Sequence, residues 1–180
     1  YLPLHAVGQG FSALNIFPIS LMYVGIGYDI HRFGPKRPLI LGGVEIPHNR
    51  GLEAHSDGDC LSHAIADAIF GALGLADIGH FFPNEDPSCK GLDSMKILEK
   101  ALQECNSNGY SLGNIDATIV TESPKIGPHI QSMKAVLSKA LDISPSLLGI
   151  KATTNEGIGG IGNGDGIAAF AVCLVLGEPT

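Results

Sequence analysis

Residues 59–73 carry apolar side chains at the spacing of an α-helix. Within this stretch they recur every three or four positions, at Leu61, Ile65, Ala68, Ile69 and Ala72. A stripe of this kind predicts an amphipathic helix that buries one side against a core. Similar stripes predict two further helices, over about 93–106 and 128–141. The chain is therefore expected to fold around three main helices.

Short β-branched runs separate these helices and predict strands. The runs cover 22–30, 114–121, 147–154 and 166–176. Residues 38–47 contain two apolar runs around Gly42-Gly43, which is a signal for a two-residue β-hairpin turn. Residues 76–92 show no periodicity and predict a loop of the length often found in active-site flaps.

The composition points to one globular domain, because 180 residues fill one core and are few for two. With 44% hydrophobic and only 16% charged residues, the surface is expected to be apolar enough to favour an oligomer. The net charge of -7 argues against nucleic acid as a partner, since phosphate backbones require clustered Lys and Arg. No apolar run approaches the roughly 18 residues of a membrane span. A soluble protein without a membrane partner is therefore expected.

Residues 1–21 contain no Lys, Arg, Asp or Glu. They lack the basic start of a signal peptide and the arginines of a transit peptide. We therefore predict an N-terminal extension over 1–21, either a leader or transit remnant or a segment ahead of a true start at Met22, and a folded domain over 22–177. The four cysteines are far apart and show no CxxC pairing, which predicts a reducing compartment.

Asp29 and His31 lie two residues apart at the end of the first predicted strand, so their side chains point to the same side. His63 lies on the first predicted helix. Two imidazoles and one carboxylate suffice for a catalytic zinc site, in which one position stays open for water or substrate. Local spacing leaves an alternative open, a polar strand end and a solvated helix face, because the two segments are about 30 positions apart.

Asp59 and Asp67 lie one helical turn to either side of His63, on a ridge opposite the apolar stripe. That side of a helix is normally solvated. Each aspartate is a candidate to orient the His63 imidazole through the nitrogen that does not bind metal. Asp59 also fits an N-terminal cap of the helix, and the two roles are compatible.

Two further groups of residues are suited to phosphate. His55 and Ser56 precede the first predicted helix, where backbone amides and the positive end of the helix dipole favour an anion. A capped surface turn is the alternative for them. Thr153, Thr154 and Glu156 follow a predicted strand and fit a divalent cation bound to phosphate, although the glycines after them also fit a simple tight turn.

Several of these segments, in order, resemble one known family. They are MYVGIGYDIHRF, the HSDGDCLSH block with its flanks, GNIDATIVTESPKIGPHI and IKATTNEG. Over about 22–176 the chain is similar to the 2-C-methyl-D-erythritol 2,4-cyclodiphosphate synthase family of the non-mevalonate isoprenoid pathway. The resemblance implies a single α+β domain with a mixed β-sheet and helices packed on one face. It also implies a homotrimer with active sites between neighbouring subunits.

The resemblance implies a phosphorus–oxygen lyase that converts 4-diphosphocytidyl-2-C-methyl-D-erythritol 2-phosphate to the 2,4-cyclodiphosphate and CMP. Asp29, His31 and His63 match the ligands of a zinc ion, for which manganese is an alternative. Glu156 matches a ligand of a second cation, magnesium or manganese, on the substrate diphosphate. The compartment implied is a bacterial cytoplasm or a plastid.

The resemblance also implies roles for other residues. His55 and Thr154 match positions that stabilise the transition state. The substrate-binding positions match Ser56, Asp77, Ile78, Gly79, Phe82, Pro83, Asn84, Glu85, Asp86, Thr121, Pro124, Lys125, Ile126, Gly127 and Thr153. Of these, residues 82–86 match a flap and residues 121–127 a cytidine pocket.

Four positions depart from the family pattern. Gly157, Gly160 and Asn163 stand where the family usually has Lys, an aromatic residue and Arg, so weaker phosphate binding is expected there. Asn84 stands where the flap often has Asp. The residues by themselves also fit two other functions. One is a zinc phosphohydrolase that activates water, and the other is a catalytically weak relative that binds metal.

Overall fold

A computed structural model describes residues 21–34, 37–83 and 85–177. Its strands are β1 (Leu21–Gly34), β2 (Leu39–Leu41), β3 (Val44–Ile46), β4 (Gly51–Leu52), β5 (Tyr110–Val120), β6 (Leu148–Thr153) and β7 (Gly166–Gly177). Its α-helices are α1 (Cys60–Ala72), α2 (Ile78–Phe81), α3 (Ser94–Ser107), α4 (Ile130–Ala140) and α5 (Gly159–Gly162). Short 3-10 helices lie at Pro87–Cys89, Gly127–His129 and Pro145–Leu147.

Five strands form one mixed sheet in the order β4-β1-β7-β5-β6. β7 pairs antiparallel with β1 and with β5, whereas β5 and β6 are parallel. β2 and β3 form a separate hairpin, whose turn residues Gly42 and Gly43 both have positive φ, 57° and 69°. Tight hairpin turns require this backbone conformation. The predictions of an α+β fold with a mixed sheet and of this hairpin are confirmed.

The helices cover one face of the sheet. α1 packs against β1 and β7. Gly25 and Gly27 of β1 allow a close approach, since a Cβ atom on either would lie 1.9 Å from a carbonyl oxygen of α1. Asp29 and His31 point to this same side, because side chains alternate along a strand. The opposite face of β1 and β7 exposes large apolar side chains, namely Met22, Val24, Ile26, Tyr28, Ile30, Phe170 and Val172.

α1 is buried on nearly all sides, which differs from the prediction. The ridge expected to face solvent contains Asp59, which is fully buried, and His63, which is only 7% exposed. The start of α3 contacts His63 through Ser94, and the β2–β3 turn closes over Asp59. The prediction of a solvated ridge is wrong because side-chain spacing within one helix does not report which other elements pack on it.

The three predicted main helices correspond to α1, α3 and α4. β1 and β5 are longer than predicted, because their pairing with β7 continues beyond the local β-branched runs. The predicted loop over 76–92 contains α2 and one 3-10 helix. All four cysteines are free thiols.

The predicted N-terminal extension lies outside the described residues except for Leu21, which pairs with Gly177. The domain boundary at Met22 stays a prediction. Within the described ranges, no helix combines the length and the apolarity needed to cross a membrane.

Candidate metal centre and active site

β1 and α1 bring the three predicted metal ligands together. Asp29 Oδ2 lies 2.9 Å from His31 Nε2 and 3.0 Å from His63 Nδ1. The two ring nitrogens are 3.3 Å apart. The close contact of Gly27 with Ala64 helps to explain this geometry, because Ala64 is the neighbour of His63 on α1. One carboxylate oxygen and two imidazole nitrogens thus converge within 4.8 Å of one another, as a metal site requires.

The electrostatics of the cluster favour positive charge between these atoms. Burial by itself raises the pKa of Asp29, but the hydrogen bonds with His31 and His63 outweigh it and hold that pKa well below its ordinary value. Burial likewise lowers the pKa of His63, yet Asp29 and the more distant Asp59 and Asp57 raise it above the ordinary value overall. A carboxylate hydrogen-bonded to imidazole rings is a site in which a divalent cation can replace protons.

Two serines contact the outer nitrogen of His63. Ser94 Oγ lies 3.0 Å from His63 Nε2, and Ser56 Oγ lies 3.2 Å from it. Ser94 Oγ also donates to Asp57 Oδ1 at 2.5 Å. Ser94 carries no signal in the sequence beyond its place at the start of a predicted helix, because it lies 31 residues from His63.

The two aspartates predicted to orient His63 bond elsewhere. Asp59 caps α1, and its carboxylate accepts hydrogen bonds from the amides of Gly42, Gly43 and Ser62 and from the Ser62 hydroxyl. Asp67 accepts a hydrogen bond from the Ile78 amide, and burial raises its pKa. The groups on His63 Nε2 are thus serines rather than the predicted aspartates, while the alternative role of Asp59 as a cap is confirmed.

The metal cluster opens into a cavity of about 360 Å³. The predicted phosphate residues His55 and Ser56 line it, as do Asp67 and three predicted substrate residues, Ile78, Gly79 and Phe82. Arg37 holds the turn that carries His55 and Ser56, because its guanidinium donates to the carbonyl oxygens of Ala54 and Ser56 at 3.1 Å and 2.7 Å. The sequence analysis missed this arginine.

A second cavity, of about 350 Å³, lies where the parallel strands β5 and β6 end. Seven predicted residues line it, namely Thr121, Pro124, Lys125, Ile126, Gly127, Thr153 and Thr154. Glu156 follows on an exposed turn, where its Oε1 accepts a hydrogen bond from the Thr154 hydroxyl at 3.1 Å. The two cavities share no lining residue within one chain.

Glu122 fixes the turn that carries Glu156. One of its carboxylate oxygens accepts hydrogen bonds from the amides of Asn155 at 2.8 Å and Gly157 at 3.4 Å. Sequence reasoning missed Glu122 as well, because its partners are more than 30 positions away.

The remaining predicted substrate and flap residues that the structure describes are exposed. Asp77 caps α2, and Asp86 caps the 3-10 helix Pro87–Cys89. Pro83 and Glu85 lie on the surface between them. The prediction for Asn84 lies outside the described residues.

Known proteins match this arrangement in sequence and in fold. The model of the YgbB family matches residues 22–176. The chain belongs to the YgbB family. Relatives named 2-C-methyl-D-erythritol 2,4-cyclodiphosphate synthase include that of Akkermansia muciniphila, which is 55% identical over 84% of this chain and 90% of its own. The corresponding protein of Clostridioides difficile is 52% identical over 86% of this chain and 96% of its own.

Solved structures of similar enzymes share the fold of this YgbB family member. The bifunctional IspDF of Campylobacter jejuni gives a TM-score of 0.85 at 40% identity, covering 88% of this chain and 43% of that chain. The CDP complex of IspF from Plasmodium falciparum gives a TM-score of 0.77 at 34% identity, covering 88% of this chain and 97% of that chain.

Proposed function

We propose that the chain is a metal-dependent lyase that converts 4-diphosphocytidyl-2-C-methyl-D-erythritol 2-phosphate to 2-C-methyl-D-erythritol 2,4-cyclodiphosphate and CMP. The observation that carries this proposal is the cluster of Asp29, His31 and His63 in one cavity with His55 and Ser56. Relatives 55% and 52% identical bear the name of this synthase, an enzyme of the non-mevalonate isoprenoid pathway. Neither the phosphohydrolase nor the weak metal-binding relative has a comparable observation in its favour.

The donor set suits zinc, because one carboxylate and two imidazoles leave a fourth tetrahedral position open. Asp29, His31 and His63 would hold the ion, and manganese is compatible with the same donors. When bound, the ion neutralises charge on a substrate phosphate and fixes its position. Glu156, on its exposed turn, would help to hold a second cation, magnesium or manganese, against the substrate diphosphate.

The proposed reaction is an intramolecular phosphoryl transfer. An oxygen of the 2-phosphate attacks the β-phosphorus, and the bond from that phosphorus to the oxygen shared with the α-phosphate breaks. The electron pair leaves with CMP, so no water is consumed. His55 and Thr154 would stabilise the charge that develops on the phosphoryl oxygens by hydrogen bonding, and Ser56 would bind phosphate beside His55.

The other predicted residues divide the substrate between the two cavities. Asp77, Ile78 and Gly79 would bind the methylerythritol hydroxyls, and Phe82, Pro83, Glu85 and Asp86 would act as the flap residues, with Asn84 outside the described residues. Thr121, Pro124, Lys125, Ile126, Gly127 and Thr153 would hold the cytidine. Support comes from the cavities themselves, since Ile78, Gly79 and Phe82 line the metal cavity and the cytidine residues line the second one.

We propose a homotrimer in which the cytidine cavity of one subunit faces the metal cavity of the next. The two cavities share no lining residue, which supports a substrate that reaches both across a contact between two copies of the chain. The exposed apolar face of β1 and β7, on which Ile26 is 72% exposed, offers the surface that such an assembly would bury.

Phosphorus NMR of the purified protein with the diphosphocytidyl substrate, zinc and magnesium tests this function. Resonances of a cyclic diphosphate together with CMP are expected. Linear phosphate products would indicate the phosphohydrolase, and unchanged substrate would indicate the weak relative. A parallel sample of residues 22–177 alone tests whether that part of the chain carries the activity.

A further inference from the structure

A line of three polar residues runs outward from the metal cluster. His63 Nε2 lies 3.0 Å from Ser94 Oγ, which lies 2.5 Å from Asp57 Oδ1. The other carboxylate oxygen, Asp57 Oδ2, accepts the Ser94 amide at 2.9 Å. Ser94 is fully buried and His63 nearly so. Solvent therefore cannot readily take the place of the Ser94 hydroxyl in this line.

The chemistry of the three groups fixes the direction of these hydrogen bonds. An ionised carboxylate only accepts, so the single hydroxyl proton of Ser94 is donated to Asp57. Ser94 Oγ then offers only lone pairs to His63, and Nε2 of the imidazole must carry a proton to bond with it. In a neutral ring this leaves Nδ1 without a proton. Nδ1 is the atom that faces Asp29 and His31.

We propose that Asp57 and Ser94 are positioning residues that select the Nε2–H tautomer of His63 and hold its ring with Nδ1 toward the metal. This inference rests on the metal site of the proposed function and adds residues to it that act only through His63. A histidine ligand is bound through one nitrogen, and the partner of the other nitrogen sets its tautomer and orientation.

Backbone hydrogen bonds next to Asp57 and Ser94 help to hold these residues in position. The Asp57 amide donates to the Leu92 carbonyl at 3.0 Å, and the Gly91 amide donates to the His55 carbonyl at 2.7 Å. The start of α3 is thereby joined to the turn before α1. Ser56 Oγ is the weaker candidate for the same role, because it lies 3.2 Å from His63 Nε2 and also accepts the Gly58 amide.

Two substitutions separate this role from a merely structural one. Ser94→Ala removes the acceptor of the Nε2 proton and leaves only Ser56. In Asp57→Asn the amide oxygen can still accept the Ser94 backbone amide while the amide nitrogen donates to Ser94 Oγ. The Ser94 proton then turns toward His63 and favours the opposite tautomer, whose Nδ1 proton opposes metal binding.

Two control variants are available, one beside Ser94 at the start of α3 and one on α4. Asp93→Asn alters the neighbouring carboxylate, which caps α3 by accepting the Met95 amide. Ser138→Ala removes a buried hydroxyl that bonds only to the Ala135 carbonyl on α4. Asp93→Asn tests the loss of a helix cap and Ser138→Ala tests the loss of a buried hydroxyl, and neither changes a residue that is bonded to His63.

The experiment measures zinc affinity of the full chain by competition with a chromophoric chelator. Ser94→Ala and Asp57→Asn are expected to weaken zinc binding by roughly 10- to 100-fold, the usual effect of losing an outer partner of a metal ligand. Asp93→Asn and Ser138→Ala are expected to bind zinc as the wild type does. The proposal would be overturned if folded Ser94→Ala and Asp57→Asn both bound zinc with wild-type affinity. It would also be overturned if the two control variants lost as much zinc affinity as the two test variants.

Nitrogen NMR of the zinc-loaded wild type with ¹⁵N-labelled histidine provides a test that needs no variant. A His63 Nε2–H resonance protected from solvent exchange is expected, and Asp57→Asn should lose that protection. An unprotonated or freely exchanging His63 Nε2 in the wild type would overturn the proposal, even if Ser94→Ala failed to fold. A wild-type protein that binds no zinc would also overturn it. If the wild type binds zinc but forms no cyclic product, the proposed function fails and this inference stands.

Discussion

Asp29 is the residue on which the two imidazoles of the metal cluster converge. Its Oδ2 bonds to His31 and His63 at 2.9 Å and 3.0 Å, so a single atom links a strand to a helix. Its negative charge also keeps the pKa of His63 above the ordinary value, against the effect of burial. The charge of this carboxylate, more than its shape, should therefore control both metal binding and the protonation of His63.

Asp29→Asn tests that expectation, because it keeps the size of the side chain and removes its charge. Loss of an outer hydrogen-bond partner of a metal ligand weakens metal binding by up to roughly 100-fold. Because Asp29 is itself a proposed ligand, we expect Asp29→Asn to weaken zinc binding by more than this. Zinc content after dialysis and chelator competition measure the loss. Asp116→Asn, which removes an exposed carboxylate paired with Lys151, is the control. Unchanged zinc binding in Asp29→Asn would contradict the assigned metal centre.

The metal-free protein should show a stability that depends on the protonation of His63. The folded pKa of His63 lies above its ordinary value of 6.5, so its stabilising contribution is fully present below pH 6.5 and is lost as the pH rises through the folded pKa. The folded pKa of Asp29 lies below 3.8, so its contribution is present above that pH and is lost only as the pH falls further.

We therefore expect the free energy of unfolding of EDTA-treated protein to decrease above pH 6.5 relative to that of His63→Gln. Urea unfolding at a series of pH values from 5 to about 9 measures this difference. Zinc affinity should change in the opposite direction and rise with pH, since the metal displaces protons from its ligands. A difference between wild type and His63→Gln that does not vary with pH would refute the assigned pairing.

At the scale of elements, the position of His63 depends on how closely α1 approaches β1. A Cβ atom at position 27 would lie 1.9 Å from the Ala64 carbonyl oxygen and 2.7 Å from the Ala68 amide nitrogen. Both contacts are with backbone, which cannot rotate away as a side chain can. Any side chain here must push the helix off the strand, and His63 moves with the helix.

Gly27→Ala is expected to destabilise the fold by about 1–3 kcal/mol, the usual cost of overpacking, and to weaken zinc binding. Gly71→Ala is the matched control on the same interface, since its nearest contact would be 3.7 Å from the Ile26 carbonyl. Alanine there should be neutral or stabilise α1 by up to about 1 kcal/mol. Urea unfolding and chelator competition measure both effects, and equal behaviour of the two variants would rule out the close-contact explanation.

At the scale of the whole molecule, the face of β1 and β7 that points away from the helices leaves large apolar side chains exposed in a single chain. Val24 and Ile26 are 66% and 72% exposed, and Phe170 and Val172 of the adjoining strand are 45% and 44% exposed. These residues form a continuous patch, because β1 and β7 are paired and these positions share one side. Large apolar patches of this kind usually mark contacts between proteins.

Ile26→Lys is expected to disrupt the proposed homotrimer, because burying an unpaired charge in an apolar interface costs several kcal/mol. Sedimentation velocity should show smaller species, and cyclisation should be lost while zinc binding by the folded chain persists. Gln103→Lys on the exposed side of α3 adds the same charge and should leave the assembly unchanged. An intact oligomer in Ile26→Lys would show that this face is not the interface.

The sequence by itself determined the local elements and the three candidate metal ligands. The three main helices follow from apolar spacing, and the hairpin follows from Gly42-Gly43, because these signals come from neighbours along the chain. Asp29, His31 and His63 were identifiable by residue type, and the Asp-x-His spacing placed two of them on one side of a strand.

Tertiary structure alone decided how the cluster is supported. Asp59 and His63 on the polar side of α1 are buried, and Ser94, itself bonded to Asp57, contacts the outer nitrogen of His63. Arg37 fixes the turn that carries His55 and Ser56. Each of these contacts joins residues that are distant along the chain. Periodicity reports only which side of an element is apolar, whereas such contacts depend on which elements pack together and how closely they approach.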